Sequence, residues 1–311
     1  MNLSDLQQRS RRNEPLNRHT TSRIGGPAEL LIVTQTTDEL VEVCQRADEI
    51  EMPFVVLGGG ANILVSDVGV RGLVIINRAK DIKFTARGVQ ARVEADSGVN
   101  LITLARDCIE RGYAGMEWAI GVPGTVGGAI VGNAGAHGAD IGGNLYMAKL
   151  LKRGAGPEYW TNRQLQFGYR KSALKQYAAH ERPIVLNAIF DLKMDYRANL
   201  ERRASELNSK RKASQPPGAS IGSMFKNPPN DFAGKLIEAA GLKGKTMGGA
   251  MISDKHANFF VNTGEATAMD VKALIDLAHD AVLREFGIDL ALEVELVGEW
   301  EKTRREEIES E

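Results

Sequence analysis

The 311-residue sequence has only two cysteines, almost no net charge and no long apolar run. Cys44 and Cys108 belong to no C-x-x-C pair and sit at apolar positions of helix-like patterns. That excludes a disulfide framework and reads as two buried thiols in a reducing compartment. A formal net charge of −1, with both signs dispersed, excludes the basic face that nucleic acid demands. The single basic cluster, "RRASELNSKRK" (202–212), reads as a solvated helix face. No stretch approaches the ~20 apolar residues of a membrane span, and "MNLSDLQQRSRRNEP" lacks the apolar centre of a signal peptide. The five histidines, His19, His137, His180, His256 and His279, show no metal-binding spacing. These absences predict a soluble, cytoplasmic protein with no metal, nucleic acid or membrane partner.

Two familiar nucleotide motifs are missing as well. No G-x-G-x-x-G occurs, and "GLKGKT" (241–246) fails as a phosphate loop because Ala239 stands where the earlier glycine is needed. Glycine is nevertheless abundant, 33 residues in all, against a usual share of ~7%. It clusters in "VVLGGGAN" (55–62) and in 112–143, where eleven glycines alternate with apolar residues around Pro123. Such stretches mark places where the backbone must pass close to something. Two of them, 58–60 and 121–128, can approach one long pyrophosphate-bearing ligand from two sides, through backbone N–H groups.

Local patterns predict the elements around these loops. Thr36 and Glu39 form a capping box for a helix with Leu40, Val43, Cys44 and Ala47 on its apolar face. Strands are expected at 53–57, 72–76, 89–95, 147–153 and 183–193. Further helices are expected at 100–111, across the basic cluster, and at 267–286 with Gly287 beyond its end. "SQPPGAS" (214–220) reads as a boundary. The segment "DLALEVELV" (289–297) alternates as a strand would, with Glu293 and Glu295 on one face. In "IGSMFKNP" (221–228), Ser223 has no histidine near it in sequence, and the closest acid, Asp231, follows two prolines. A nucleophile needs a base, so this serine reads as an ordinary loop residue or as a proton donor.

Seven segments, taken in order, carry a family resemblance: "TTSRIGG" (20–26), "LGGGAN" (57–62), "GMEWAIGVPGTVGGAIVGNAGAHG" (115–138), "FGYRKS" (167–172), "GSMFKNP" (222–228), "AGLKGKTMGGAMISDKHANFFVN" (240–262) and "LEVELVG" (292–298). Together they resemble the UDP-N-acetylenolpyruvoylglucosamine reductases from about residue 16 to 298. The short span between Arg170 and Ser223 resembles the compact, type II form. The resemblance implies an α+β chain with the FAD-binding fold of the PCMH and vanillyl-alcohol-oxidase type. Two α+β subdomains would grip FAD without a covalent bond, and a smaller α+β domain would bind substrate. The corresponding divisions are 1–78, 79–213 with 289–311 returning to it, and 214–288.

The resemblance further implies an NADPH-dependent reduction of the enolpyruvyl group of a UDP-sugar to UDP-N-acetylmuramate, in peptidoglycan precursor synthesis. FAD would lie along Gly58, Gly59, Gly60, Ala61 and Asn62, and along Gly121, Pro123, Gly124, Thr125, Gly127, Gly128, Ala129, Asn133 and Gly135. Arg170, Ser223 and Glu293 match the catalytic positions, and Tyr169, Lys226 and Asn227 the substrate positions. Hydride addition at C3 drives charge through C2 onto the substrate carboxylate, which calls for aimed positive charge and donors. A guanidinium suits a carboxylate and keeps its proton. A serine without a base can still quench a strongly basic C2. Ala61, His137 and Glu295 depart from the family pattern of serine, tyrosine and arginine, and Glu295→Arg is expected to tighten substrate binding. The competing readings are an FAD oxidase of the same superfamily and a non-catalytic UDP-sugar-binding module.

Overall fold

The computed structural model describes residues 3–300. The chain forms two compact units, each assembled from three stretches. The first takes residues up to 11, 31–61 and 73–217, and the second takes 12–30, 62–72 and 218 onward. The C-terminal stretch belongs with the second unit, where Glu295–Val297 pairs in parallel with Ile63–Val65.

The first unit is organised by an antiparallel sheet ordered Pro157–Thr161, Leu145–Leu151, Ile184–Met194, Gln90–Asp96, Ile82–Arg87. Ile184–Met194 is its central strand, and its apolar start is buried without interruption from Ile184 to Ala188. In Gln90–Asp96 only Ala91, Val93 and Ala95 are buried, the alternation of a strand with one covered face. Against this sheet and in the same core lie helix Leu101–Glu110 and helix Val126–Gly132. Asn100 caps the former by accepting from Ile102 N and Thr103 N. Its predicted face, with Leu101, Leu104, Ala105 and Cys108, is buried. Burial pushes the Cys44 and Cys108 thiols up to about 12, so both stay protonated and unreactive.

Strand Phe54–Leu57 runs parallel to residues Leu73–Ile76 and delivers the chain directly to Gly58. Helix Thr37–Glu49 buries the four residues expected of it. Only half of its capping box forms. Thr36 Oγ1 accepts from Glu39 N at 3.1 Å, while the Glu39 carboxylate is drawn to Gln35 N and the Arg9 guanidinium, each at 2.7 Å. A charged donor outcompetes the neutral N-cap amide.

The second unit carries a four-stranded antiparallel sheet in the order Ser220–Ser223, Phe259–Asn262, Ala250–Ile252, Thr246–Met247. Helices Ala233–Ala239 and Ala268–Phe286 share its core with Phe225 and Phe260, whose rings meet edge to face at 6.4 Å. Helix Ala268–Phe286 starts with a complete Thr267/Asp270 capping box and ends on left-handed Gly287, as its sequence requires. The strand expected over 289–297 shortens to Glu295–Val297. Its alternation survives in the burial of Leu290 and Val294. Residues 291–294 are instead engaged by an irregular crossing with Met224–Lys226, described below. No helix among the described residues is long and apolar enough to cross a membrane.

Candidate active site

In the first unit the two glycine-rich stretches touch. A Cβ on Gly58 would run into Thr125 Oγ1, and one on Gly59 would come within 3.2 Å of the Gly124 Cα. Gly124 in turn faces the Ala61 methyl at 3.7 Å from its own Cβ position. Gly127 lies against Ser97, while Gly128 remains exposed and would meet nothing nearer than Thr125 Oγ1 at 3.9 Å. Pro123 lies between Gly121 (φ 82°) and Gly124 (φ 118°), and Gly60 is also left-handed (φ 63°). Arg78 fixes the first loop by donating to Gly58 O at 3.1 Å. Backbone bonds Leu101 N to Gly124 O, Val126 N to Val99 O and Gly127 N to Ser97 O fix the second. Ala129 is buried one turn into the helix that follows. The result is a narrow frame of backbone, closed to side chains on its protein side. That is what a pyrophosphate-bearing ligand such as FAD needs in order to approach main-chain donors.

Beyond this frame the first unit gathers positive charge. Tyr169 and Arg170 form the tip of a two-residue turn closed by reciprocal backbone bonds between Gly168 and Lys171, both 3.0 Å. Arg170 is left-handed (φ 52°), and its Nη2 donates to Gly135 O at 2.9 Å. Its guanidinium stands 5.4 Å from the centre of the exposed Tyr169 ring. Arg211, whose Cδ lies against the Cβ position of Gly121, is held below the usual guanidinium range by burial and by the neighbouring Arg170 charge. His137 is pushed down by burial and by Arg211 and Lys210. The sequence pattern pointed to Arg170 but not to Arg211, which sits in a basic run indistinguishable from a solvated face. Asn133 gives both amide N–H groups to protein, to Asp140 Oδ2 and Gly168 O.

The second unit sets Glu293 against Met224, the residue after Ser223. Ser223 ends the strand Ser220–Ser223, opposite Phe259, after left-handed Gly222 (φ 103°). The next residue, Met224, accepts from Glu293 N at 2.9 Å, and Lys226 N donates to Ala291 O at the same distance. The serine hydroxyl has no hydrogen-bond partner among the described residues, so nothing there acts as a base toward it. Asn258, 3% exposed, clamps the crossing. Its Oδ1 accepts from Phe225 N, its Nδ2 donates to Phe225 O, and its own carbonyl accepts from Met224 N. From the other side Asn62 donates to Glu293 O at 3.0 Å and accepts from Glu295 N at 3.1 Å. The Asn62 side chain thus reaches the backbone of Glu293, in the segment before strand Glu295–Val297. Asn227 Oδ1 accepts from Ala233 N at the start of a helix. Asn258 lay within a quoted motif, but nothing in the sequence distinguished a clamp from any other asparagine.

The fold and the glycine frame define an FAD-binding unit. The family described as FAD binding domain matches residues 28–149, and the C-terminal domain of UDP-N-acetylenolpyruvoylglucosamine reductase matches 213–297. The reductase of that name from Chloroflexus aurantiacus is 42% identical over 286 residues, 92% of this chain and 96% of that protein. The one from Bacillus pumilus is 40% identical over 289 residues, 92% and 93% of the two chains. A crystal structure of the enzyme (MurB) from Thermus caldophilus superimposes with a TM-score of 0.77 at 34% identity, covering 92% of this chain and 99% of that one. The chain therefore belongs to the UDP-N-acetylenolpyruvoylglucosamine reductase family. It is an FAD-dependent oxidoreductase with the α+β FAD-binding fold expected from its sequence.

Proposed function

We propose that the protein reduces the enolpyruvyl ether of a UDP-N-acetylglucosamine to UDP-N-acetylmuramate, a peptidoglycan precursor, in the cytoplasm and with NADPH as hydride donor. When bound, FAD supplies the relay that takes a hydride from NADPH and passes it to enolpyruvyl C3. The observation that supports the reading is Ser223, a hydroxyl with no hydrogen-bond partner among the described residues, one position before Met224, whose carbonyl accepts from Glu293 N. Arg170 meets the substrate carboxylate, where charge accumulates as C3 gains hydride. Glu293 assists that polarisation. Ser223 delivers the proton to C2, whose carbanion is basic enough to take it from an alcohol. Lys226 and Asn227 contact the UDP diphosphate, and Tyr169 lines the substrate pocket. Gly58–Ala61 and the Gly121–Ala129 segment hold the cofactor, with Gly135 beyond them, and Arg211 adds positive charge on that side.

An anaerobic titration tests this function. The yellow protein is bleached by NADPH and then given the enolpyruvyl UDP-sugar. Recovery of the flavin spectrum with formation of UDP-N-acetylmuramate is expected. Recolouring only on admission of air overturns the reading in favour of an oxidase.

A further inference from the structure

The turn that presents Arg170 is held by more than its own Gly168–Lys171 backbone bonds. Residues 131–135, at the end of helix Val126–Gly132, grip it at three points. Asn133 Nδ2 donates to Gly168 O at 2.9 Å, before the turn, and Ser172 Oγ donates to Val131 O at 2.7 Å, after it. Between the two, the Arg170 guanidinium donates to Gly135 O. Ser172 is 0% exposed and Asn133 2%. Asn133 also donates to Asp140 Oδ2 at 3.0 Å and accepts from Gly142 N at 2.9 Å. Its amide thus ties three chain segments together while its backbone terminates the helix in a left-handed conformation (φ 44°). Asparagine is among the few residues that tolerate that conformation, and its side chain supplies two donors and an acceptor in one plane.

An arginine at a left-handed turn position persists only when its surroundings over-determine it. We propose that Asn133 is a positioning residue for the reduction: it fixes the Gly168–Lys171 turn and so holds the Arg170 guanidinium where the substrate carboxylate arrives. This rests on the role given above to Arg170. It makes Asn133 part of the machinery of the second hydride transfer rather than of cofactor binding.

Two variants separate the amide from the backbone. Asn133→Gly keeps the left-handed helix end and deletes the side chain, and Asn133→Asp keeps the shape and deletes both donors. Each is compared with the parent for flavin content, thermal unfolding, affinity for the enolpyruvyl UDP-sugar by calorimetry, and the two half-reactions by anaerobic stopped flow. The expected result is an unchanged rate of flavin reduction by NADPH, with reoxidation by the UDP-sugar slowed by about 10²-fold, the usual penalty for misplacing a catalytic group by about 1 Å. Substrate affinity should fall with it. Arg170→Lys should slow the same step, and adding Asn133→Gly to it should cost little more, because both changes act on one group. If the two penalties add in full, or flavin loss accounts for the whole defect, the proposal is overturned and Asn133 serves the fold or the cofactor. If Arg170→Lys alone reoxidises at the parental rate, the assignment of Arg170 falls, and this inference with it. Should Asn133→Gly not accumulate, Ser172→Ala probes the other anchor of the turn with the same readouts.

Discussion

The glycine frame of the first unit and the Ser223–Glu293 crossing of the second solve different problems with different chemistry. At residues 58–61 and 124–128 side chains are removed so that backbone meets backbone, and a Cβ on Gly58 or Gly59 would strike Thr125 or crowd Gly124. At the crossing, side chains are added. Asn258 and Asn62 stand in for missing strand partners of Phe225 and Glu293. Close approach of backbone depends on the absence of side chains, which glycine provides. A crossing of two irregular segments depends on registration, which needs directed hydrogen bonds.

The largest effect separating the regions is chemical. Ser223→Ala should leave NADPH reduction of the flavin intact and slow product formation by about 10²–10⁴-fold, the range of a general acid. Single-turnover measurement of each half-reaction decides it, and a near-parental rate of muramate formation removes Ser223 from the mechanism. Next, Asn258→Ala orphans the buried N–H and C=O of Phe225, each worth about 1–3 kcal/mol. Urea denaturation should show the loss, while flavin retention stays unchanged. Comparable overpacking in the glycine frame reverses the pattern. Gly58→Ala should weaken FAD binding by about 1–3 kcal/mol, as overfilled sites do, measured by fluorescence of released flavin, and Thr125→Gly in the same chain should restore part of it. Equal flavin loss from Asn258→Ala and Gly58→Ala would erase the distinction.

The smallest effect is a pH dependence confined to the second unit. Burial lowers the His279 pKa, but hydrogen bonds to Asp289 at 2.7 Å and Asp280 at 3.2 Å outweigh it and raise the pKa above its ordinary value of 6.5. A base with a raised folded-state pKa contributes its full stability below the unfolded value, and that stability disappears as pH rises through the folded one. His279→Gln should therefore lower the melting temperature more at pH 5.5 than at pH 8.5, and an equal drop at both would deny the linkage.

Much of this molecule was legible because local physics forced it. The helix ending at Gly287 announced its C-terminus, the alternation of Gln90–Asp96 its covered face, and Gly58 and Gly59 a close approach of chain. Other features were hidden. Glu39 completes no capping box because Arg9, thirty positions earlier, reaches its carboxylate. The alternation of 289–297 predicted one strand, whereas its first half is spent on Met224 and Lys226. Arg211 looked like one charge in a basic helix until the fold set it beside Arg170.

The sequence alone determined the elements, the glycine frame, and the residue types of the chemistry, since propensity, periodicity and backbone freedom act over a few neighbours. Only the tertiary structure decided that Glu293 adjoins Met224, that Asn258 and Asn62 register the strands, and that Asn133 anchors the Arg170 turn. Those contacts join residues 33 to 231 positions apart. A directed hydrogen bond between distant segments leaves no local trace, because the same amide elsewhere would simply face water.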